Sequence, residues 1–285
     1  MSAASLKPKP NPTIRQWLHA ASQTLEAAGI PLARLDAQLL LADALQKDKA
    51  WLVAHDDVIV DDAQITLLQT QIERRCRHEP LAYIRQTCEF YGRDFYVDAA
   101  VLVPRPESET MIDLLKQLAP TLMQPNYPLT IIDIGTGSGA LAISAALELP
   151  HAQVSACDID TDALRVAQRN IAAHAVSVDL LQSDLLPPNH TYQVIIANLP
   201  YVPDGHTINQ AAMIEPALAI FGGPDGLDLY RRLFMQISNR DAVERPILLF
   251  CESLPTQHHA LAQLAKEHGY SLQKSEDFIQ VFAFA

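Results

Sequence analysis

The chain has 285 residues, 49% hydrophobic and 19% charged, with a formal net charge of −12. This composition fits a soluble globular protein with a sizeable core and excludes wholesale disorder. The charge is uneven: residues 1–105 carry 12 Lys+Arg against 13 Asp+Glu, and residues 106–285 carry 9 against 20, a difference of −11. So acidic a part is repelled by a phosphate backbone, which argues against direct nucleic-acid binding.

The first 12 residues carry Pro8, Pro10 and Pro12 and no acid. They read as a short disordered tail rather than a signal or targeting helix. Residues 13–85 read as a small helical bundle. Ile14, Trp17, Leu18, Ala21, Leu25 and Ala28 follow helical spacing until Gly29 and Pro31 stop the run. A second helix spans about Ala33 to Leu45, with Leu35, Leu39 and Ala42 on one face. A short third lies near Lys49 to Ala54. The fourth opens with Asp61 and Asp62 and carries Ile65, Leu68, Ile72 and Cys76. Its basic end, Arg74, Arg75 and Arg77, reads as a solvated helix terminus favourable to the dipole. No residue of this bundle has a catalytic look, and His19, His55 and His78 read as surface or core side chains.

Residues 86–105 read as a β-hairpin linker, with Phe90, Tyr91, Phe95, Tyr96 and Val97 around a Gly92-Arg93-Asp94 turn signal. Val101 to Glu107 then runs extended, until its prolines hand over to a helix at Glu107 or Ser108. From there strands and helices alternate through residues 106–285. Strands are expected at Leu129–Ile134, Gln153–Cys157, Ser177–Gln182, Gln193–Ala197, Pro246–Cys251, Tyr270–Lys274 and Phe278–Phe284. The helices between them are Gly139–Leu149, Asp162–His174, Gly226–Ser238 and His258–His268. The expected fold is α/β: a doubly wound, mostly parallel, seven-stranded Rossmann-like sheet with its site at the C-terminal strand ends.

Cys76, Cys88, Cys157 and Cys251 show no Cys-x-x-Cys spacing, so neither a zinc site nor a redox pair is expected, and a reducing, cytoplasmic setting fits them. No apolar run approaches the roughly 18 residues of a membrane span. His258 and His259 are adjacent on a presumed helix and face different directions, so no metal is assigned.

Two motifs carry chemistry. The first is Gly135-Thr136-Gly137-Ser138-Gly139, which follows the first expected strand and opens a helix. Such glycines permit positive φ and let a ligand approach the backbone. The spacing is G-x-G-x-G, not the dinucleotide G-x-G-x-x-G. Asp158, 21 residues beyond Gly137, could accept both hydroxyls of an adenosyl ribose. Asp160 reads as a loop acid and Asp162 as the residue that starts the next helix. Asp184 and Leu185, after the third strand, could meet an adenine; Asp184 reads equally as a plain loop acid.

The second motif is Asn198-Leu199-Pro200-Tyr201 at the end of an apolar strand. The Asn198 side-chain oxygen and the Leu199 carbonyl can each accept one N–H of a planar –NH2 group, and the Tyr201 ring can cover its face. An amide or adenine nitrogen is a weak nucleophile. Two acceptors would aim its lone pair at a methyl donor and favour the positive charge that grows on nitrogen. Methyl transfer onto nitrogen from S-adenosylmethionine (AdoMet) is the reaction expected, with no general base nominated.

At this point the chain resembles a known family, the N5-glutamine methyltransferases of peptide-chain release factors. The resemblance rests on Glu79 to Ile84, Phe90-Tyr91-Gly92, Val103-Pro104-Arg105-Pro106-Glu107-Ser108-Glu109, Asp133 to Ala140, Asn198 to Tyr201, Glu215 to Ala219 and Gly222 to Leu227. It implies AdoMet contacts at Gly135, Thr136, Gly137, Ser138, Gly139, Asp158, Leu185 and Asn198. It implies a substrate glutamine, from the Gly-Gly-Gln loop of a release factor, against Asn198, Leu199, Pro200 and Tyr201. The helical bundle would then dock the protein substrate, and the enzyme is expected to be a monomer.

The chain departs from that family in three places. Leu199 stands where the family has the first proline of Asn-Pro-Pro-Tyr, so the fixed φ at residue 199 is lost and a less preorganised site is expected. Glu252 is followed by Ser253-Leu254-Pro255 rather than an early glycine. Asp277-Phe278-Ile279-Gln280 stands where a Gly-x-x-Arg-like segment is usual. The form Asn-Leu-Pro-Tyr also resembles ribosomal RNA adenine dimethyltransferases. An RNA or DNA adenine-N6 enzyme, a ribosomal-protein glutamine methyltransferase and a non-catalytic AdoMet-binding protein are therefore the alternatives. A dinucleotide oxidoreductase is a further alternative.

Overall fold

The structure is a computed structural model that describes residues 11–123 and 127–285. Residues 1–10 of the expected tail lie outside the described residues. The chain forms two compact units, Met1–Arg85 and Gln86–Ala285. Among the described residues no helix is long and apolar enough to cross a membrane.

The first unit holds helices α1 (Ile14–Ala27), α2 (Ala33–Leu45), α3 (Lys49–Ala54), α4 (Asp62–Cys76) and α5 (Leu81–Arg85). Two capping boxes start α1 and α4. The Thr13 hydroxyl accepts from the Gln16 N–H while the Gln16 side chain accepts from the Thr13 N–H, and Asp61 and Gln64 repeat the exchange. Ile14, Leu25, Leu40, Leu41, Leu52 and Leu68 form the centre of its core.

Two expectations are corrected here. The inward face of α2 holds Ala33, Ala37, Leu40, Leu41 and the expected Ala42, whereas Leu35 is exposed and Leu39 half-buried. Consecutive leucines offer two apolar stripes, and the one that includes Ala33 and Ala37 is the one buried in the core. The basic end of α4 is also not simply solvated. Arg75 Nε donates to Asp36 Oδ2 at 2.8 Å and its Nη1 to the Glu79 carbonyl at 3.0 Å, with both ionic side chains nearly buried. A carboxylate on the inward side of α2 requires such a partner.

The second unit begins with a hairpin, β1 (Cys88–Phe90) and β2 (Arg93–Phe95). Its turn is Tyr91-Gly92, both at positive φ, so Arg93 and Asp94 belong to the strand rather than to the expected turn. A two-residue hairpin turn of this hand needs positive φ at both central positions. Phe90 and Phe95 sit in the core of this unit.

A short 3-10 turn (Pro106–Ser108) leads into α6 (Glu109–Leu118). The chain then runs β3 (Thr130–Ile134), α7 (Ala140–Glu148), β4 (Gln153–Asp158), α8 (Thr161–His174), β5 (Asp179–Gln182) and β6 (Val194–Ala197). It continues through α9 (Asp228–Ser238), β7 (Leu248–Glu252), α10 (His258–Glu267), β8 (Tyr270–Glu276) and β9 (Ile279–Phe284). The seven-stranded sheet has the order β5-β4-β3-β6-β7-β9-β8, with β9 antiparallel to its neighbours β7 and β8 and the five strands β3 to β7 parallel.

The central strands are buried on both faces, which is why they read as continuous apolar runs. Ile131, Val194, Ile196 and Phe250 face one core layer with α6 and α7. Ile132, Ile195, Ala197 and Leu249 face the other with α9 and α10. The chain winds outward from β3 to β5, then returns to the other side of β3 for β6. Ligand sites in such sheets lie at this reversal, beyond the carboxyl ends of the strands.

Candidate active site

Register decides what meets at the reversal. Ile134 pairs with Ala197, so the glycine loop after β3 and Asn198 after β6 leave adjacent strands at the same level. The cleft above them holds about 1170 Å³ of space not filled by protein, its open mouth included. Gly135, Thr136, Gly137, Ser138, Asp158, Leu185, Asn198, Leu199 and Pro200 all line it; Gly139 and Tyr201 do not.

Gly135 and Gly137 adopt left-handed φ of 72° and 53°, and a Cβ on Gly137 would meet open space, so the cleft floor there is bare backbone. The loop is tied down by its neighbours. The Gly135 and Thr136 N–H groups donate to the Cys157 carbonyl at 2.9 and 3.0 Å, and the Thr136 hydroxyl donates to Asp133 Oδ2 at 2.7 Å. Asp133 is fully buried, and burial raises its carboxyl to about 7. Gly139 instead serves helix contact: a Cβ there would lie 3.3 Å from Ala167 of α8. Asn170 of α8, which sequence reasoning missed, donates to the Ser138 carbonyl at 2.8 Å and to that of Tyr96 at 2.9 Å. A lone Asn inside a helix gives no local signal of such a clamp.

Asp158 ends β4. Its Oδ2 accepts from the Gly137 N–H at 2.9 Å and its Oδ1 from the Asp160 N–H at 3.0 Å. Burial raises its pKa, and those two backbone amides oppose the rise. Asp160, not Asp162, caps α8: its extended backbone lets Oδ1 accept from the Asp162 N–H at 2.8 Å. Asp162 already lies in the first helical turn, so its side chain cannot take the cap position. Asp184 pairs with Arg232 at 2.5 Å across the cleft rim.

Asn198 Nδ2 donates to the Ser108 hydroxyl at 2.9 Å. The Tyr201 hydroxyl donates to Glu252 Oε1 at 2.9 Å. Glu252, at the end of β7, is almost fully buried, and desolvation raises its pKa against the pull of Ser108, Tyr201 and Asn198. The Tyr230 hydroxyl lies 2.9 Å from the Ala197 carbonyl and 2.5 Å from that of Glu252, joining the ends of β6 and β7. Leu199 is nearly buried, and its Cδ2 would stand 3.3 Å from a Cβ on Gly135. Leu199 is packed beneath the glycine loop, and the φ restriction that a proline ring would impose at residue 199 is absent.

The remaining motifs brace this segment. Gln257 Nε2 donates to the carbonyls of Tyr201 at 2.8 Å and Asp225 at 2.7 Å. Glu215 Oε2 accepts from the Val103 N–H at 2.9 Å, and its Oε1 pairs with Arg105 at the cleft wall. Residues 103–105 and 215–219 are therefore held as one wall.

A bare-backbone glycine loop, a half-buried carboxylate at the next strand end and an Asn-x-Pro-Tyr corner on this sheet define a Rossmann-like methyltransferase. Residues 16–85 match the PrmC N-terminal domain, and residues 108–220 match the methyltransferase small domain. The release factor glutamine methyltransferase of Koribacter versatilis is 38% identical over 79% of this chain and 81% of its own. That of Moorella thermoacetica is 39% identical over 78% of this chain and 79% of its own. A bifunctional methyltransferase of Rickettsia conorii is 30% identical over 92% of this chain but 55% of its own length. Among solved structures, the hMettl16 catalytic domain in complex with an RNA hairpin shares the fold, with a TM-score of 0.55, 14% identity and coverage of 88% of this chain and 91% of that one. The chain belongs to the release factor glutamine methyltransferase family.

Proposed function

We propose that this protein transfers a methyl group from AdoMet to the side-chain amide nitrogen of the glutamine in the Gly-Gly-Gln motif of a peptide-chain release factor. The observation that carries this reading is the Asn198 amide at the cleft. Its nitrogen donates to the Ser108 hydroxyl, which leaves Oδ1 to accept a hydrogen bond, and Leu199 lines the cleft beside it, where its carbonyl would be the second acceptor.

The residues present suit AdoMet. The open space above Gly137 admits a ligand close to the backbone of the loop, and Asp158 suits ribose hydroxyls. Ile159, half-exposed in the cleft, and Leu185 offer apolar contact for an adenine. Gly135 to Ser138, Asp158, Leu185 and Asn198 would hold it, and when bound it supplies an electrophilic methyl group. Asn198 and the Leu199 carbonyl bind the two amide hydrogens of the glutamine and so aim its nitrogen. The same acceptors stabilise positive charge as it develops there, more strongly where water is excluded. Pro200 and the cleft wall of Arg105 and Leu218 shape the approach. In this reading the helical unit, residues 13–85, docks the release factor.

The test is incubation with AdoMet and a release factor, followed by mass spectrometry of the Gly-Gly-Gln peptide. One methyl gained on the glutamine, and lost with Asn198→Ala, is the expected result. Methyl transfer to a ribosomal protein or to adenine, with none to the release factor, would overturn the substrate.

A further inference from the structure

Leu185 stands where a glycine would be at ease. Its φ is 64°, in the left-handed region that crowds Cβ against the following carbonyl oxygen. The residue is nearly buried and lines the cleft beyond the end of β5, at the place given to the adenine. A conformation of this kind persists only where its surroundings over-determine it.

Three side chains spaced four apart supply that hold. Arg232 and Gln236 of α9, and Arg240 just beyond its end, all reach the segment 184–190. The Gln236 amide spends both its ends on the backbone either side of Leu185. Its Nε2 donates to the Asp184 carbonyl at 3.2 Å, and its Oε1 accepts from the Leu186 N–H at 2.9 Å. Arg232 pairs with the Asp184 carboxylate, and Arg240 donates to the carbonyls of Pro187 and His190. The Cys157 thiol donates to the Leu185 carbonyl at 3.3 Å. Residues four apart on a helix share a face, so one side of α9 fastens the whole segment. Arg232 lines the cleft and Gln236 does not, so Gln236 acts on a ligand only through the backbone it holds.

We propose that Gln236 is a positioning residue for the adenosyl end of the cofactor: it clamps residues 184 and 186 and so holds Leu185 against the adenine. The proposal rests on the reading of this cleft as an AdoMet site. Without the clamp the backbone at Leu185 relaxes toward negative φ, and its side chain leaves the cleft. One apolar wall of the adenine place is then lost. The Gly137–Asp158 and Asn198–Ser108 hydrogen bonds do not involve this segment and stay in place. The cost therefore falls on cofactor binding rather than on the methyl-transfer step.

The experiment compares wild type, Gln236→Met, Leu185→Gly and the double variant L185G/Q236M. Methionine keeps the length of the side chain and removes both hydrogen bonds. Calorimetry measures affinity for AdoMet and for 5′-methylthioadenosine, which has the adenosyl group and lacks the amino-acid end. Steady-state methylation of a release factor gives kcat and the KM of each substrate. Gln236→Met is expected to weaken both ligands about tenfold, the scale of lost neutral hydrogen bonds. The KM for AdoMet should rise to match, with kcat at saturating AdoMet and the KM for the release factor near wild type. The double variant should bind little worse than Leu185→Gly, because the clamp acts through Leu185. Wild-type affinity in Gln236→Met, a loss seen with AdoMet but not with 5′-methylthioadenosine, or losses that add in the double variant would each overturn the clamp. If Gln236→Met does not fold, Gln236→Glu decides: it keeps the acceptor for Leu186 and loses the donor to Asp184, so weaker binding of both ligands is expected and unchanged binding overturns the proposal. A wild type that binds both ligands but methylates no release factor, with the losses in Gln236→Met intact, would sink the substrate reading and leave the clamp standing. A wild type that binds neither ligand would overturn both.

Discussion

A Cβ on Gly222 would lie 2.2 Å from the carbonyl oxygen of Pro200, and one on Gly226 would lie 2.0 Å from that of Tyr201. Gly222 and Gly226 are therefore the backing plate of the Asn198–Tyr201 corner, and the chain pairs there through the Gly222 N–H and the Val202 carbonyl at 2.9 Å. Gly222→Ala must push the corner toward the cleft. It is expected to cost about 1–3 kcal/mol of stability, as overpacking does. Turnover should fall while AdoMet affinity falls less, because the glycine loop is untouched. Denaturant unfolding with calorimetry checks both.

Leu199 occupies the position of a family proline, yet its side chain is nearly buried against the glycine loop. Leu199→Pro removes apolar contacts and is expected to destabilise by about 1–3 kcal/mol. Because burial already holds the residue, turnover of the folded variant should gain little. An unchanged unfolding midpoint together with a large rise in kcat would show instead that the ring was the missing constraint.

Asp158 is expected to hold AdoMet through its ionised form. Asp158→Ala should weaken AdoMet binding by roughly 10–100-fold, the range for hydrogen bonds to a charged group. Burial raises this carboxyl above its ordinary value. The ionised form is complete only above that raised pKa, so affinity should be lost as pH falls through it, starting at a higher pH than an exposed aspartate would set. Calorimetric titration across the acid range tests this; an affinity independent of pH would count against it.

Asp133 carries a stability signature. Its carboxyl is raised from 3.8 to about 7 by complete burial. Below 3.8 both folded and unfolded chains hold the proton. Between 3.8 and about 7 the unfolded chain releases it and the folded one keeps it, so this residue's contribution to stability falls as pH rises through that window and is flat above it. Asp133→Asn should flatten the profile over that range, and urea unfolding from acid to neutral pH measures the slope. A profile as steep as wild type would assign the slope to other groups.

Much of this molecule was legible in sequence because its determinants are local. Burial on both faces makes strands such as Val194–Ala197 unbroken apolar runs, and Gly29 with Pro31 marks where the first helix must stop. The glycine loop and the Asn198 corner were visible for the same reason, since a ligand held by bare backbone needs contiguous residues. Asp160 was misread because two acids stood near one helix start, and only backbone conformation separates them. The inward stripe of α2 was misread because three consecutive leucines offer more than one apolar face.

Only tertiary structure could decide the partners that cross the chain. Ser108 lies 90 residues from Asn198, and Tyr201 lies 51 from Glu252. Asn170 meets Ser138, and Glu215 meets Val103, through contacts that no spacing encodes. A hydrogen-bonding side chain carries no mark of its distant partner. The sequence by itself determined which segments could form a sheet and which corner could hold an amide; the winding of that sheet decided which buried groups stand behind the corner.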